Sequence, residues 1–370
     1  GLCFTGWTPG ARGGDVVRAV VTGAGGFIGD AVAREFRLRG YDVVPVDVRR
    51  GPGIVVADVT HPGDWEKLLV GADLVVHAAA VGTGGGGELT AVRAGVPSRS
   101  VPLTDSELRR ITVAGTASVL DACQRAGVGR VVHISCVSVL GGSFPAEADE
   151  AVPVTMTGLA RADALAAAEH TAIAAAARGL AVTVLRAGDA YGPRAGRWTL
   201  WPLLLLRAGR FVLVDSGRGV LSPVHVDDLV SAIAAVADSP ATVGEILHAT
   251  GGTGIGAAEF FGRYARMAGL PLPHSVPAAL VRRLDSVDRL LIERGWLSGR
   301  VSSRLHPRSY VDLGPLALTE LTRTGTYSIA KIRRLAGWQP RVGLDEGMAR
   351  TEVLLRERGL LGVAEPASRG

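Results

Sequence analysis

Lysine, tyrosine and cysteine are scarce in this chain, and each shortage excludes a kind of chemistry or site. Lysine occurs only as Lys67 and Lys331, and no tyrosine lies between Tyr41 and Tyr191. Three cysteines at irregular spacings are too few for a disulfide framework or a zinc site. We therefore expect no bound metal and a location in a reducing cytoplasm.

Long apolar runs and clustered positive charge are also missing. No uninterrupted hydrophobic run reaches the roughly 18 residues that span a bilayer, so we expect no membrane span. The net charge is +5, but the basic residues are scattered and aromatic residues make up only 5%, which argues against a nucleic-acid partner. Residues 1–14 lack the basic flank and apolar core of a signal peptide and are interpreted as a leader or a cloning remnant.

A glycine-rich turn is the most informative feature that is present. Gly23, Gly26 and Gly29 follow an apolar strand and precede a helix predicted over residues 31–38. Gly23 permits a tight turn, Gly26 lets the backbone approach a pyrophosphate, and Gly29 lets the helix pack close to the strand. Asp47 ends a second strand about 20 residues further on, the spacing of dinucleotide-binding sites. The pattern predicts such a site, and a glycine-rich turn without a ligand is the alternative.

Apolar strands alternate with alanine- and leucine-rich helices over most of the chain. The strands are predicted over residues 18–22, 42–47, 54–57, 74–77, 130–135, 181–186 and 245–249. This rhythm is typical of an α/β fold, here a Rossmann-like, doubly wound parallel sheet with a smaller, mainly helical C-terminal substrate lobe. The predicted limits are 15–191 for the dinucleotide-binding domain, 192–221 and 252–345 for the substrate lobe, 222–251 for a return to the sheet domain, and 346–370 for a C-terminal helix and tail.

Several motifs together resemble those of the extended short-chain dehydrogenase/reductases. They are TGAGGFIG at 22–29, HAAA at 77–80, RAGDAYGP at 186–193 and VHVDDL at 224–229. From residue 17 to about residue 356 the chain resembles the NAD-dependent epimerase/dehydratase family, and its second half resembles the 3β-hydroxysteroid dehydrogenase-like branch. The resemblance implies an enzyme that binds NAD(P) and a small-molecule substrate, and it leaves a homodimer open.

The resemblance also implies which residues contact the cofactor. They are Gly23, Gly26, Phe27, Ile28, Gly29, Asp47, Asp58, Val59, Ala78, Ala79 and Ala80. Asp47 is expected to accept hydrogen bonds from the adenosine ribose, which favours NAD because the carboxylate repels a 2′-phosphate. Arg49 and Arg50 lie close enough in sequence to hold that phosphate, so NADP is the alternative.

The catalytic part of the family pattern is altered. Relatives carry a serine or threonine after the fifth strand and a Tyr-x-x-x-Lys pair on the next helix, where the tyrosine exchanges a proton and the lysine lowers its pKa. Here the resemblance places Cys136 at the hydroxyl position, Arg161 at the tyrosine position and Leu165 at the lysine position. No shift of the alignment restores the pair. The literal Tyr-x-x-x-Lys formed by Tyr327 and Lys331 lies in the C-terminal lobe and is interpreted as structural.

Cys136, Ser138 and Arg161 are the candidate catalytic residues. Cys136 would act as an acid or nucleophile if Arg161 lowered its thiol pKa, and otherwise it is a small buried filler. Ser138 offers a hydroxyl that is expected to point into the crevice. Arg161 stays protonated and would stabilise negative charge, or else it is a solvated arginine at a helix start.

Two further regions bear on the substrate. The irregular insertion at 81–107 is interpreted as a lid or a disordered segment, and the apolar residues at 198–206 and 280–291 as pocket or core. Because these regions have few polar residues, they favour a hydrophobic substrate, such as a natural-product-like ketone or alcohol. Three functions follow: a reductase or dehydrogenase with a non-standard catalytic site, a non-redox cyclase, dehydratase or isomerase, and a catalytically silent binding protein.

Overall fold

A parallel sheet forms the centre of the molecule. The computed structural model describes residues 16–80, 104–154, 156–283 and 314–361. The seven strands of this sheet are β1 Arg18–Thr22, β2 Asp42–Asp47, β3 Val55–Val56, β4 Leu74–His77, β5 Arg130–Cys136, β6 Val182–Ala187 and β11 Ile246–Ala249. They pair in the order β11-β6-β5-β4-β1-β2-β3, and each neighbouring pair is parallel.

Short strands outside the central sheet form three small pairs. They are β7 Asp189–Tyr191 with β10 Pro223–His225, β9 Val220–Leu221 with β12 Ile255–Gly256, and β8 Leu213–Val214 with β13 Ser275–Val276. The β9–β12 pair is antiparallel, and the other two are parallel. β7 follows β6 almost directly, so it continues the chain from the carboxyl edge of the central sheet.

Helices cover both faces of the sheet. They are α1 Phe27–Leu38, α2 Asp105–Arg109, α3 Gly115–Ala126, α4 Ala160–Ala177, α5 Trp201–Arg207, α6 Val226–Asp238, α7 Ala257–Met267, α8 Gly314–Leu321, α9 Ala330–Ala336 and α10 Leu344–Glu357. Successive strand residues point to opposite faces, so Val21 packs with α1 and α6 while Val20 packs with α3 and α4. The sheet is therefore buried on both sides, as a doubly wound fold requires.

The α/β class and the seven central strands predicted from the sequence are confirmed, each to within a residue or two. The first helix begins at Phe27, four residues before the predicted start, because the chain already turns at Gly26. The third helix is preceded by a π-helical turn, Arg110–Ala114, and ends at Gly127 in the left-handed conformation, with φ of 66°. The bounds of the strands could therefore be predicted more accurately than the ends of the helices.

A second hydrophobic core lies outside the central sheet. It joins α5, α7 and α10 around side chains such as Leu205, Phe260 and Leu355, all of which are buried. Leu203 and Leu204 also belong to this core. Their burial favours core rather than pocket for the leucines within the predicted apolar stretch 198–206. The predicted domain limits remain predictions.

Two predicted substrate features fall partly outside the described residues. Residues 81–103 of the insertion and 284–291 of the apolar run are not described. The end of the insertion is helical, since Thr104 caps α2 through a reciprocal pair of hydrogen bonds with Glu107. Within the described ranges no helix combines the length and apolarity needed to cross a membrane.

Candidate functional site

A cleft of about 590 Å³ opens at the carboxyl ends of the central strands. Its walls come from the glycine turn after β1 and from the ends of β2, β4, β5 and β6, together with the starts of the following helices. This is where parallel α/β sheets bind their ligands. All eleven residues implied to bind the cofactor line it: Gly23, Gly26, Phe27, Ile28, Gly29, Asp47, Asp58, Val59, Ala78, Ala79 and Ala80.

The glycine turn leaves no room for side chains. Gly23 has φ of +73°, and a Cβ there would lie 2.6 Å from the backbone of Ala78. A Cβ on Gly29 would lie 2.2 Å from the Gly23 carbonyl oxygen. Gly26 caps α1 without a side-chain hydrogen bond, so the free N–H groups of the first helical turn face the cleft mouth as an anion site. These features fit a pyrophosphate.

The Asp47 carboxylate is buried and already holds the turn together. Its Oδ2 accepts a 2.9 Å hydrogen bond from the Gly25 N–H, and its Oδ1 accepts from the backbone N–H and the Nε of Arg49 at 2.9 and 3.1 Å. A Cβ on Gly25 would lie 3.0 Å from the Asp47 Cγ, so this glycine is needed as well. The sequence motif pointed to its three neighbours and missed Gly25.

Arg49 is expected to influence whether the cleft accepts the 2′-phosphate of NADP. Its guanidinium pairs with Asp47 and offsets the charge that disfavours NADP. We expect Arg49→Gln to lower the affinity for NADP by about 10- to 150-fold, since a hydrogen bond to a charged group contributes about 1.5–3 kcal/mol, while NAD affinity changes little. Calorimetric titration with both dinucleotides measures this. Arg50→Gln is the matched control, because Arg50 is exposed and, unlike Arg49, is absent from the described cleft lining. An unchanged ratio of affinities in Arg49→Gln would contradict it.

Asp58 and Val59 line the same end of the cleft. Asp58 Oδ1 accepts hydrogen bonds from the Thr60 N–H at 2.9 Å and from its hydroxyl at 2.6 Å. The hydroxyl bond from Thr60 lowers the pKa of Asp58, so its carboxylate stays charged near neutral pH. Arg110, which the sequence analysis missed, donates to the Thr60 hydroxyl at 3.0 Å and also lines the cleft. Arg110, which directly follows α2, therefore forms part of the wall at this end of the cleft.

The opposite end, hereafter the catalytic end, is formed by Ser135, Cys136, Arg161, Leu165, Arg197, Trp198 and Glu320. Cys136 and Arg161, two of the three candidate catalytic residues, both line this end of the cleft, and their catalytic role stays a prediction. Leu165 lies one helical turn beyond Arg161 on α4 and also faces the cleft. Among the described lining residues there is neither a tyrosine nor a lysine.

The structure corrects the expectation that Arg161 activates Cys136. Burial raises the pKa of the Cys136 thiol, and the charge of Arg161 offsets only part of that rise. The Cys136 Sγ instead accepts a 3.5 Å hydrogen bond from the Ser138 N–H and caps the short helical turn Val137–Leu140. The thiol is therefore neutral near neutral pH, and a thiolate nucleophile is not supported.

Ser138 also differs from the expectation that it points into the crevice. It is buried and absent from the described residues that line the cleft. Its Oγ finds no hydrogen-bond partner in the described part of the chain. Ser138 lies in the turn that Cys136 caps, and all four residues of that turn are buried.

Ser135 is the serine that lines the cleft, and a buried network holds its hydroxyl. Its Oγ donates a 2.5 Å hydrogen bond to Glu169 Oε1 on α4. Arg186 on β6 donates two hydrogen bonds to the same carboxylate, from Nε to Oε1 at 3.0 Å and from Nη2 to Oε2 at 2.8 Å. Both charged side chains are only 2% exposed, so the pair ties α4 to the sheet beneath the catalytic end.

Arg197 and Glu320 complete the catalytic end and were missed by the sequence analysis. Arg197 lies in the π-helical turn Gly196–Leu200, and its guanidinium forms an ion pair with the buried Glu320 carboxylate of α8. Single-turn π-helical geometry often marks functional sites. No spacing signal connects these two residues to Arg161, since they come from distant segments of the chain.

Tyr327 and Lys331 lie apart from the described cleft lining and bind separate partners. The Tyr327 hydroxyl donates to the Val137 carbonyl at 3.2 Å, while Lys331 Nζ donates to the Ile246 carbonyl at 3.0 Å. Each side chain therefore ties the C-terminal segment to the sheet domain. The contacts support the structural interpretation of this literal Tyr-x-x-x-Lys sequence.

Comparisons with known proteins agree with this architecture. The family model for the NAD dependent epimerase/dehydratase family matches residues 19–248. A 3-diazoavenalumate denitrifying reductase from Streptomyces sp is 34% identical over 284 residues, which cover 72% of this chain and 87% of the relative. A 2-alkyl-3-oxoalkanoate reductase from Stenotrophomonas maltophilia is 27% identical, covering 90% and 98%. A 3-beta-hydroxysteroid dehydrogenase from Mycolicibacterium neoaurum is 26% identical, covering 90% of each chain.

Solved structures share the same fold. A dTDP-glucose 4,6-dehydratase from Streptomyces venezuelae, crystallised with NAD and TYD bound, superposes with a TM-score of 0.68. It is 24% identical, and the match covers 93% of this chain and 99% of the dehydratase chain. The family is NAD-dependent, and these neighbours were crystallised with NAD. From the matched model and the Streptomyces relative, the chain belongs to the NAD dependent epimerase/dehydratase family.

Proposed function

We propose that this protein is a nicotinamide-dependent reductase for a hydrophobic small molecule, and that it works without a tyrosine proton donor. One observation carries the proposal. The cofactor half of the cleft is complete, whereas its catalytic end presents Cys136, Arg161 and Leu165, with neither tyrosine nor lysine among the described lining residues. The relatives named above are reductases and a dehydrogenase of hydrophobic compounds.

The cofactor is proposed to lie along the cleft with its pyrophosphate at the start of α1. The narrow turn at Gly23 and Gly29 and the uncapped helix start fit that group. Asp47 would bind the adenosine ribose, and Asp58 and Val59 would flank the adenine. When bound in its reduced form, the nicotinamide supplies a hydride.

The residues at the catalytic end suit an acceptor that needs no added proton. Reduction of a ketone leaves an alkoxide, which relatives protonate with a tyrosine of tuned pKa. Arg161 cannot take that role because its guanidinium remains protonated, although it can stabilise negative charge. The Cys136 thiol is a weaker candidate than in solution, because burial raises its pKa.

The name of the Streptomyces relative indicates an acceptor of the required kind, a diazo compound. We propose that the acceptor is an arenediazonium cation, whose arene carbon gains the hydride with its electron pair. The carbon–nitrogen bond breaks, its electron pair leaves with dinitrogen, and the dinucleotide is oxidised by two electrons. No proton is taken up, so the reaction balances without a tyrosine.

Stereospecific isotope transfer tests the proposal. The full chain is incubated with a diazonium derivative of cinnamate and with NADH deuterated at C4 on one face or the other. We expect dinitrogen release, and deuterium on the arene carbon from only one of the two labelled cofactors. Uncatalysed reduction uses both faces, so it is recognised within the same experiment.

A ketone of matched shape, an acetyl derivative of cinnamate, is the comparison substrate. Stereospecific reduction of this ketone without any reaction of the diazonium compound would refute the proton-free acceptor. Turnover without oxidation of NADH would favour the non-redox cyclase, dehydratase or isomerase. Bound NAD with no turnover of any substrate would favour the silent binding protein.

Cellular location and assembly are part of the same proposal. We propose that the protein works in the cytoplasm, where Cys123 and Cys136, both free thiols in the described chain, would stay reduced. We also propose a small molecule rather than a nucleic acid as ligand. A homodimer is the assembly that the family resemblance suggests, and sedimentation of the purified chain measures it.

A further inference from the structure

We propose that Arg194 is a positioning residue, through which the bound dinucleotide orders the catalytic end of the cleft. The inference rests on the proposed function only in taking the start of α1 as the pyrophosphate site. It deepens that function by linking the two ends of the cleft through one ion pair, between Arg194 and Asp30.

Arg194 lies between the two ends of the cleft along the chain. The four residues that follow it, 195–198, all line the cleft, and Arg197 and Trp198 belong to its catalytic end. The Arg194 guanidinium forms an ion pair with the Asp30 carboxylate in the first turns of α1. The pair therefore joins the helix that starts at the glycine turn to the segment that forms part of the catalytic end.

The Asp30 carboxylate binds a second arginine, which makes a useful contrast. Arg194 Nη1 and Arg34 Nε both donate to Asp30 Oδ2, the latter at 3.0 Å. Arg34 lies one turn further along α1, and its side chain is 61% exposed, against 28% for Arg194. Of these two pairs, only that of Arg194 connects α1 to the segment at 195–198, and its lower exposure leaves it less screened by solvent.

The same segment packs closely against α1 just before Arg194. Gly192 has φ of +147°, and a Cβ there would lie 3.5 Å from the Phe27 Cζ at the start of α1. The π-helical turn Gly196–Leu200 begins without a side-chain cap, so the N–H groups of its first residues have no partner within it. The position of this turn therefore depends on contacts outside it, and the Arg194 ion pair lies two residues before its start.

A bound pyrophosphate would strengthen this connection. It would place further negative charge at the start of α1, close to Asp30, and the positive guanidinium of Arg194 would be attracted more strongly. Arg194 would then hold residues 195–198 more firmly when the cofactor is present than when it is absent. Because such coupling is reciprocal, a ligand that orders this segment would also raise the affinity for NAD.

Amide hydrogen exchange of the full chain, with and without saturating NAD, tests the assignment. We expect NAD to slow exchange at residues 195–200 by at least about fivefold, the lower limit of typical coupling between two sites. Arg194→Met and Asp30→Asn are each expected to abolish this effect, while NAD still protects the glycine turn at 23–29. Arg194→Lys, which keeps the charge, should retain part of the effect.

Arg34→Met is the matched control, because it removes an arginine from the same Asp30 oxygen but leaves the link to the catalytic end. It should keep the full response of residues 195–200 to NAD. An equal response in Arg194→Met and in the unaltered protein would overturn the inference, since direct contact with the cofactor would then explain the protection. Exchange at 195–200 that ignores NAD in the unaltered protein would overturn it as well.

The outcome is separable from that of the reductase proposal, because hydrogen exchange needs no turnover. A response to NAD that is lost in Arg194→Met, with no hydride transfer to any acceptor, would refute the reductase and support the role of Arg194. Hydride transfer with a response that Arg194→Met retains would refute the role of Arg194 alone. No protection of residues 23–29 by NAD would refute the pyrophosphate site and, with it, both proposals.

Discussion

Glu169→Leu is expected to lower the free energy of unfolding by about 3–5 kcal/mol, the usual cost of removing one partner from a buried ion pair. The carboxylate accepts hydrogen bonds from both Arg186 and Ser135, and Glu169 and Arg186 are each 2% exposed. Leucine would leave the Arg186 guanidinium buried without its counter-charge. Denaturant unfolding followed by circular dichroism measures the loss.

Two further variants separate the ion pair from simple packing. Glu169→Leu combined with Arg186→Met removes both charges, and we expect it to recover most of the stability, because the buried charge is gone. Glu35→Leu breaks an exposed pair with Arg39 on α1 and should cost less than about 1 kcal/mol. A double variant no more stable than Glu169→Leu would show that the charge imbalance is not the cause.

Gly29→Ala is expected to lower NAD affinity at least tenfold and to destabilise the fold by about 1–3 kcal/mol, the range for overpacking a filled site. The added Cβ would lie 2.2 Å from the Gly23 carbonyl oxygen and 2.7 Å from its carbonyl carbon. Both atoms are backbone, so α1 must move away from the turn that is proposed to hold the pyrophosphate. Calorimetry measures the affinity, and thermal unfolding without cofactor measures the stability.

Gly343 provides the control for this substitution. It precedes α10 with φ of −62°, and a Cβ there would meet nothing within 4 Å. Gly343→Ala should leave NAD affinity unchanged. If Gly29→Ala bound NAD as tightly as Gly343→Ala does, the turn would tolerate a side chain and the proposed pyrophosphate site would be wrong.

The cofactor half of the site could be predicted because its signals are local. Gly23, Gly26, Gly29 and Asp47 lie within two neighbouring strand-and-turn units, and their spacing follows from the geometry of a parallel sheet. The pairing of Arg49 with Asp47 lay beyond this signal, because it depends on which rotamer the folded turn allows. The sequence could therefore place both side chains near the adenosine end but not their contact.

The catalytic end could be predicted only in part. The family resemblance identified Cys136 and Arg161, and in the structure they lie at the end of β5 and at the start of α4. The protonation state of the Cys136 thiol could not be predicted in the same way. Burial raises its pKa by more than the Arg161 charge lowers it, and both effects depend on the surrounding side chains. Ser138 is buried in the helical turn Val137–Leu140 and is absent from the described cleft lining, so it does not lie in the crevice as expected.

The sheet, the glycine turn and the lack of tyrosine and lysine through the middle of the chain can all be predicted from local sequence features. Strand periodicity and residue spacing act over a few residues, so these features need no knowledge of distant segments. Only the tertiary structure brought Arg197 and Glu320 to Arg161 and connected Ser135 to Glu169 and Arg186. The residues of this end come from remote parts of the chain, so which of them lie together depends on how the whole chain folds.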